Sequence, residues 1–203
     1  MQPPKKQSLA ARKRLEYDRF MRIAQISDFH YTHITWNPLR LFSKRIIGNL
    51  NWLLTRSAAF TEGQIEMLPD LFDELGVDLV LLGGDFTTTA LQEEYEKASK
   101  FVSRIKKPTI AIPGNHDHYT KKSFRNKHFY RYFSNHKQEV RYPTDFFHLS
   151  DHRVEAHPIA PNWWLVALDT ARATNFYSSK GIFTEKQEAY FKEILGLITP
   201  SDS

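Results

Sequence analysis

Three short stretches place side chains that can hold cations or move protons directly behind apolar runs. "RIAQISDFH" ends with Asp28 and His30, two positions apart, so in an extended segment both point the same way. "DLVLLGGDF" brings Asp85 in behind Gly83 and Gly84, which let the backbone approach a neighbour closely. "TIAIPGNHDHY" sets Asn115, His116, Asp117 and His118 in a row, more polar residues than a turn requires. Taken singly each is commonplace, since Asp-x-His and Gly-Asp are frequent in turns and Asn-His-Asp after Pro-Gly can simply cap a loop. In this order, each at the end of a predicted strand, they read as one site. Oxygen and imidazole donors without thiolate suit Mn²⁺, Fe, Zn²⁺ or Mg²⁺ rather than copper or an iron–sulfur cluster. The sequence has no cysteine, so disulfides and thiolate metal sites are excluded.

The elements that must position these residues follow from periodicity. Buried strands are predicted at "RIAQIS", "DLVLLGG" and "TIAIPG", and a fourth at "WWLVALDT", ending at Thr170. Between them, "EGQIEMLPDLFDELG" puts Ile65, Leu68, Leu71, Phe72 and Leu75 on one helical face. Pro69 is expected to kink that helix or begin a new turn, and Gly76 to end it. "ALQEEYEKASKFVSRI" is a second helix, and "TEKQEAYFKEIL" a third, with Thr184 as cap and Gln187 three residues on. Strands alternating with helices predict an α/β layered fold whose ligands gather where strands end. Residues 1–20 read as a basic N-terminal extension and 21–203 as one domain, with Met21 an alternative start that the intact mass would settle.

Asp28-x-His30, Gly84-Asp85 and Gly114-Asn115-His116-Asp117 resemble the first three motifs of the calcineurin-like metallophosphoesterase family, in the family's order and spacing. "LVALDTARA" followed by "KGIFTEKQEAYFKEIL" resembles the strand and helix that come next in bacterial members. The resemblance implies a layered β-sandwich flanked by helices. It implies a hydrolase that uses divalent metal ions on a phosphomonoester, phosphodiester or pyrophosphate. By that resemblance Asp28 and His30 would hold a first metal, Asp85 would bridge both, and Asn115 would bind the second. A bridging carboxylate suits two cations ~3.5–4 Å apart. His116 would sit beside the phosphate to stabilise charge or protonate the leaving oxygen, and Asp117 would orient it.

The chain departs from the family's pattern after residue 118. The family supplies a later strand histidine and a Gly-His-x-His loop, whereas none of His118, His128, His136, His148, His152 and His157 follows a glycine. The expectation is therefore a domain incomplete at its C-terminus, whether a truncated, split or degenerate product. Its first metal keeps Asp28, His30 and Asp85 but loses one histidine, and is expected to bind weakly. Its second keeps only Asp85 and Asn115, and is expected to bind hardly at all without a partner fragment.

Two basic, aromatic stretches concern partners. "YTKKSFRNKHFYRYFSNHK", residues 119–137, has six Lys or Arg and no Asp or Glu, with Phe124, Phe129, Tyr130, Tyr132 and Phe133 interleaved. It reads either as a cap over the substrate side or as a small aromatic core with its charges in water. "PLRLFSKRIIGNLNWLLTR", residues 38–56, puts Leu39, Phe42, Ile46, Leu50 and Leu53 on one helical face beside Arg40, Lys44 and Arg45. Such a face packs on its own domain or lies on a membrane surface. Similar inserts occur in family members that resemble enzymes cleaving lipid-linked pyrophosphates, so the resemblance leaves a nucleotide or lipid-linked nucleotide open as substrate.

The bulk properties set bounds. A chain of 203 residues supports one sizeable domain, and 41% hydrophobic with 25% charged residues is the composition of a folded protein. The net charge of +5 favours anionic partners and leaves nucleic acid open, although no recognised nucleic-acid module is present. No apolar run approaches the ~18 residues of a membrane span, and the basic start lacks an apolar core behind it. The expected location is the cytoplasm, peripheral to the membrane if residues 38–56 bind one. Beside the enzyme stand two other readings: a non-catalytic binding or scaffold protein on the same fold, and an inactive fragment.

Overall fold

A computed structural model describes residues 21–33, 62–135, 144–173 and 179–198. The extension 1–20 and the basic amphipathic stretch 38–56 lie outside the described residues, as do His136 and Lys137.

The elements run β1 (Ile23–Ile26), α1 (Glu62–Ile65), α2 (Leu68–Glu74), β2 (Leu79–Leu82), α3 (Gln92–Arg104) and β3 (Thr109–Ala111). They continue with α4 (Lys121–Arg125), α5 (His128–Tyr132), α6 (Leu149–His152), β4 (Val154–Ala160), β5 (Trp163–Leu168) and α7 (Glu185–Ile198). Strands β1, β2 and β3 form a parallel sheet in that order, with Ile23 opposite Leu79 and Val80 opposite Thr109. β4 and β5 form an antiparallel pair, Val154 opposite Leu168.

Alternation along the strands sets the layers, because successive side chains point to opposite faces. Val80 and Leu82 join Phe72, Tyr95, Phe101, Phe129 and Phe133 under the helices. Leu79 and Leu81 face the other way, onto Leu165 and Ala167 of β5. Val154, Ala156, Trp164, Val166 and Leu168 then pack on Tyr190, Phe191 and Ile194 of α7. The order is helix, sheet, sheet, helix: the layered α/β sandwich that the alternation predicts.

Three local points refine the sequence reading. The expected helix over 62–76 is two short helices, with Pro69 in the first turn of α2 and Gly76 ending it at φ 61°. Two turns have only a narrow buried face, so Phe72 is buried while Leu71 and Leu75 are 41% and 55% exposed. β4 lacks the apolar pattern of a strand because Glu155 and His157 point between the sheets and are themselves buried. In the 119–137 stretch the core reading holds for the described residues. Phe129 and Phe133 are buried against Phe86, whereas Lys121, Lys122, Arg125, Lys127 and Arg131 are exposed.

Thr184 and Gln187 form the expected box at the start of α7, with the Gln187 N–H donating to Thr184 Oγ1 at 3.2 Å and the Thr184 N–H to Gln187 Oε1 at 3.1 Å. Among the described residues no helix is long and apolar enough to cross a membrane. Phe72→Ala should cost about 3–5 kcal/mol in urea unfolding. Leu75→Ala, on the same helix but exposed, should change stability by less than about 0.5 kcal/mol.

Candidate metal centre

Beyond their last paired residues, β1 and β2 stay side by side through their loops. Asp28 N donates to Gly84 O at 3.0 Å, His30 N to Asp85 O at 2.9 Å and Tyr31 N to Phe86 O at 2.9 Å. The backbone nevertheless turns left-handed at Asp28 (φ 63°), His30 (φ 47°) and Asp85 (φ 56°). Each such non-glycine residue costs roughly 1–3 kcal/mol, and residues of this kind cluster at functional sites. These three belong to the set singled out in the sequence, while Ala90, Lys127, Arg153 and Asn162 share the left-handed backbone outside it. Their side chains converge, and one ligand atom from each of Asp28, His30 and Asp85 lies within 4.8 Å of the others. No other such group of three carboxylates or histidines occurs among the described residues.

The third loop is brought in by glycine. A Cβ on Gly84, at φ 97°, would lie 2.7 Å from Gly114 N, and a Cβ on Gly114 would collide with the Asp85 carboxylate. With both absent, the His116 N–H donates to Asp85 Oδ1 at 2.9 Å. Asn115 therefore sits half-buried in the turn beside Asp85. The His116 ring is T-shaped against that of His30, centroids 4.8 Å apart. Its Nδ1 lies 2.7 Å from the carbonyl oxygen of Thr88, which can only accept, so Nδ1 carries the hydrogen and Nε2 is the atom free to exchange a proton.

The Asp117 carboxylate is bonded to Phe86, Thr87 and Gly114 rather than to the His116 ring. Its side chain is fully buried, and Oδ1 accepts from the N–H and hydroxyl of Thr87, both at 3.0 Å. Oδ2 accepts from Gly114 N at 2.9 Å and Phe86 N at 3.3 Å. The carboxylate is a clasp between the second and third loops, and Thr88 takes the ring-orienting role. Burial, helped by the charge of Asp85, pushes the Asp117 carboxyl up to about 7 against the pull of its backbone donors.

Two further carboxylates escaped the sequence reading. Glu94, wholly buried in α3, accepts from Thr89 N at 2.8 Å, Leu91 N at 3.1 Å and His33 N at 3.3 Å, tying the segment after His30 to the loop before α3. Burial raises its pKa, and those hydrogen bonds oppose the rise. Asp169 follows β5 and is 1% exposed. It accepts from Arg153 Nε at 3.2 Å, Arg153 Nη2 at 3.0 Å, the Tyr130 hydroxyl and the Ala171 N–H. His118 Nε2 lies 3.4 Å from it. Burial alone would raise the Asp169 pKa, but His118 and Arg153 outweigh it and hold the carboxyl below its usual value. The same rule that found the other residues, an aspartate closing a predicted strand, applies to "WWLVALDT".

A family model described as calcineurin-like phosphoesterase matches residues 21–182, well over half of the chain. The chain belongs to the calcineurin-like phosphoesterase family, which uses divalent metal ions on phosphate esters. No curated protein matches it.

Gly114→Ala should disturb Asp85 directly, lowering both the melting temperature and Mn²⁺ affinity in calorimetry. Gly196→Ala, with nothing within 4 Å in α7, should instead stabilise by about 0.5–1 kcal/mol. The depressed pKa of Asp169 means its contribution is present above the unfolded carboxylate pKa near 3.8 and is lost as pH falls through the lower, folded value. Asp169→Asn should therefore destabilise by roughly 3 kcal/mol at pH 7 and flatten the acid limb of the stability curve.

Proposed function

We propose that this chain is a phosphoesterase in which Asp28, His30 and Asp85 hold a divalent metal ion, with Asn115 available to a second and His116 as the proton donor. The observation that carries the reading is the convergence of those three donors on left-handed backbone at the ends of β1 and β2. The donor set fits the group: two carboxylates and an imidazole are borderline-to-hard ligands, as Mn²⁺, Fe, Zn²⁺ or Mg²⁺ require. A metal held there supplies Lewis acidity, neutralising phosphate charge and acidifying water.

The chain's own residues do the rest. Asp28, the most open of the three at 63% side-chain exposure, faces solvent where a substrate arrives. Ser27 Oγ donates to its Oδ2 at 2.6 Å and leaves the other oxygen, 3.6 Å from His30 Nε2, for the cation. His116, with Nδ1 committed to Thr88, leaves Nε2 as the atom that, when protonated, passes its proton to the leaving oxygen. Asp117 keeps the loop carrying His116 closed on the loop carrying Asp85.

The bond cleaved is a phosphomonoester, phosphodiester or pyrophosphate. A nucleotide or lipid-linked nucleotide as substrate rests on the family resemblance, and the basic amphipathic pattern of residues 38–56 is compatible with action at a membrane surface.

Hydrolysis of bis(p-nitrophenyl) phosphate with added Mn²⁺ tests the proposal. Turnover by the wild type should fall to background in Asp85→Asn. Equal turnover in both, or none in either at saturating Mn²⁺, counts against catalysis at this centre. His116→Ala should lose roughly 10²-fold or more on esters with poor leaving groups and much less on p-nitrophenyl esters, which leave unaided. The same loss on both kinds of ester would remove His116 as proton donor.

A further inference from the structure

The turn that carries Asn115 and His116 is anchored from two sides. On one side the Asp117 carboxylate binds Phe86, Thr87 and Gly114, and the Tyr95 hydroxyl donates to the Asp117 carbonyl. On the other side the anchor is the His118 side chain. It is 1% exposed and packed between Phe124, at 5.0 Å, and Tyr130, at 6.2 Å. Its Nδ1 has no hydrogen-bond partner among the described residues, so its polar hold rests on Nε2 and Asp169.

Asp169 is the fixed member of that pair. Arg153 grips both of its oxygens, Tyr130 and the Ala171 N–H add to them, and Gln187 of α7 donates to its backbone carbonyl at 2.8 Å. A buried imidazole whose one polar partner is held this rigidly takes its position from that partner.

We propose that Asp169 is a positioning residue for the metal centre: through His118 it sets the pitch of the turn 115–118, and with it the place of the Asn115 side chain and the Nε2 atom of His116. The inference rests on the phosphoesterase reading given above. It extends the working site from the three loops of the parallel sheet to the end of β5 and the start of α7. It also gives a reason for a carboxylate and a histidine to be buried together beside a half-buried arginine, away from the metal ligands, where apolar packing would otherwise serve stability as well.

The test uses the ¹⁵N-labelled full chain. Without metal, the His116 Nδ1–H bonded to Thr88 should give a slowly exchanging NMR signal in the wild type. It should broaden or vanish in Asp169→Asn and in His118→Phe, which keeps ring bulk without the donor. His118→Gln retains an N–H near the Nε2 position and should keep the signal. Tyr130→Phe removes another bond to Asp169 and should lower the melting temperature alone. With Mn²⁺ loaded, inorganic phosphate should bind Asp169→Asn and His118→Phe roughly 10-fold or more weakly, and His118→Gln nearly as wild type.

Unchanged signal and phosphate affinity in Asp169→Asn and His118→Phe, with only a lower melting temperature, would make the cluster merely structural and overturn the proposal. Should Asp169→Asn not fold, the His118 pair decides alone. Asp85→Asn is the control on the parent reading. If it binds Mn²⁺ as tightly as the wild type, the metal centre is wrong and the link from Asp169 to it falls too, whatever the NMR signal does.

Discussion

Backbone meets backbone at Gly84 and Gly114, and no side chain larger than hydrogen fits between the two loops. That approach lets the Asp85 carboxylate accept the His116 N–H and lets Asp117 reach two backbone donors across the gap, Phe86 and Thr87, besides Gly114 of its own loop. It also lets two carboxylates lie near each other, which is unfavourable by itself and contributes to the raised pKa of Asp117. The left-handed backbone at Asp28, His30 and Asp85 is a further unfavourable term of several kcal/mol by ordinary magnitudes. Hydrogen bonds to charged groups, about 1.5–3 kcal/mol each, offset it.

Three buried carboxylates brace the segments that carry or back the candidate ligands, and each joins a different pair of segments. Glu94 joins the stretch after β1 to the loop before α3, Asp117 joins the second and third loops, and Asp169 joins the third loop's histidine to the sandwich's second sheet. Burying a carboxylate is tolerable only when its oxygens are well supplied with donors, and these meet that condition. The candidate ligand Asp28 is the opposite case, exposed and with one oxygen holding a short bond from Ser27. Rigid, saturated acids hold the frame, and an open acid remains for a cation and its substrate.

Much of this was legible in the sequence. Apolar runs of four to seven residues ending in Asp or Asn located all three strands of the parallel sheet, because in such sheets both faces are buried and strands read as continuous hydrophobic stretches. Thr184 and Gln187 located the start of α7 by a local hydrogen-bonding rule. β4 was not legible, since Glu155 and His157 point between sheets and break the apolar pattern. The roles of Thr88 and Asp169 were not legible either, because a carbonyl oxygen gives no residue-type signal and the His118–Asp169 pair spans residues far apart in the chain. Leu71 and Leu75 were overread, as a two-turn helix cannot bury so wide a stripe.

Whether Asp28, His30 and Asp85 form one cation site can be seen in crystals of the protein grown with Mn²⁺ and measured across the manganese absorption edge. One strong anomalous peak is expected within coordination distance of those three side chains, lost in crystals of Asp85→Asn. A peak placed elsewhere, or none at millimolar Mn²⁺ with the three side chains arranged as described, would contradict such a site.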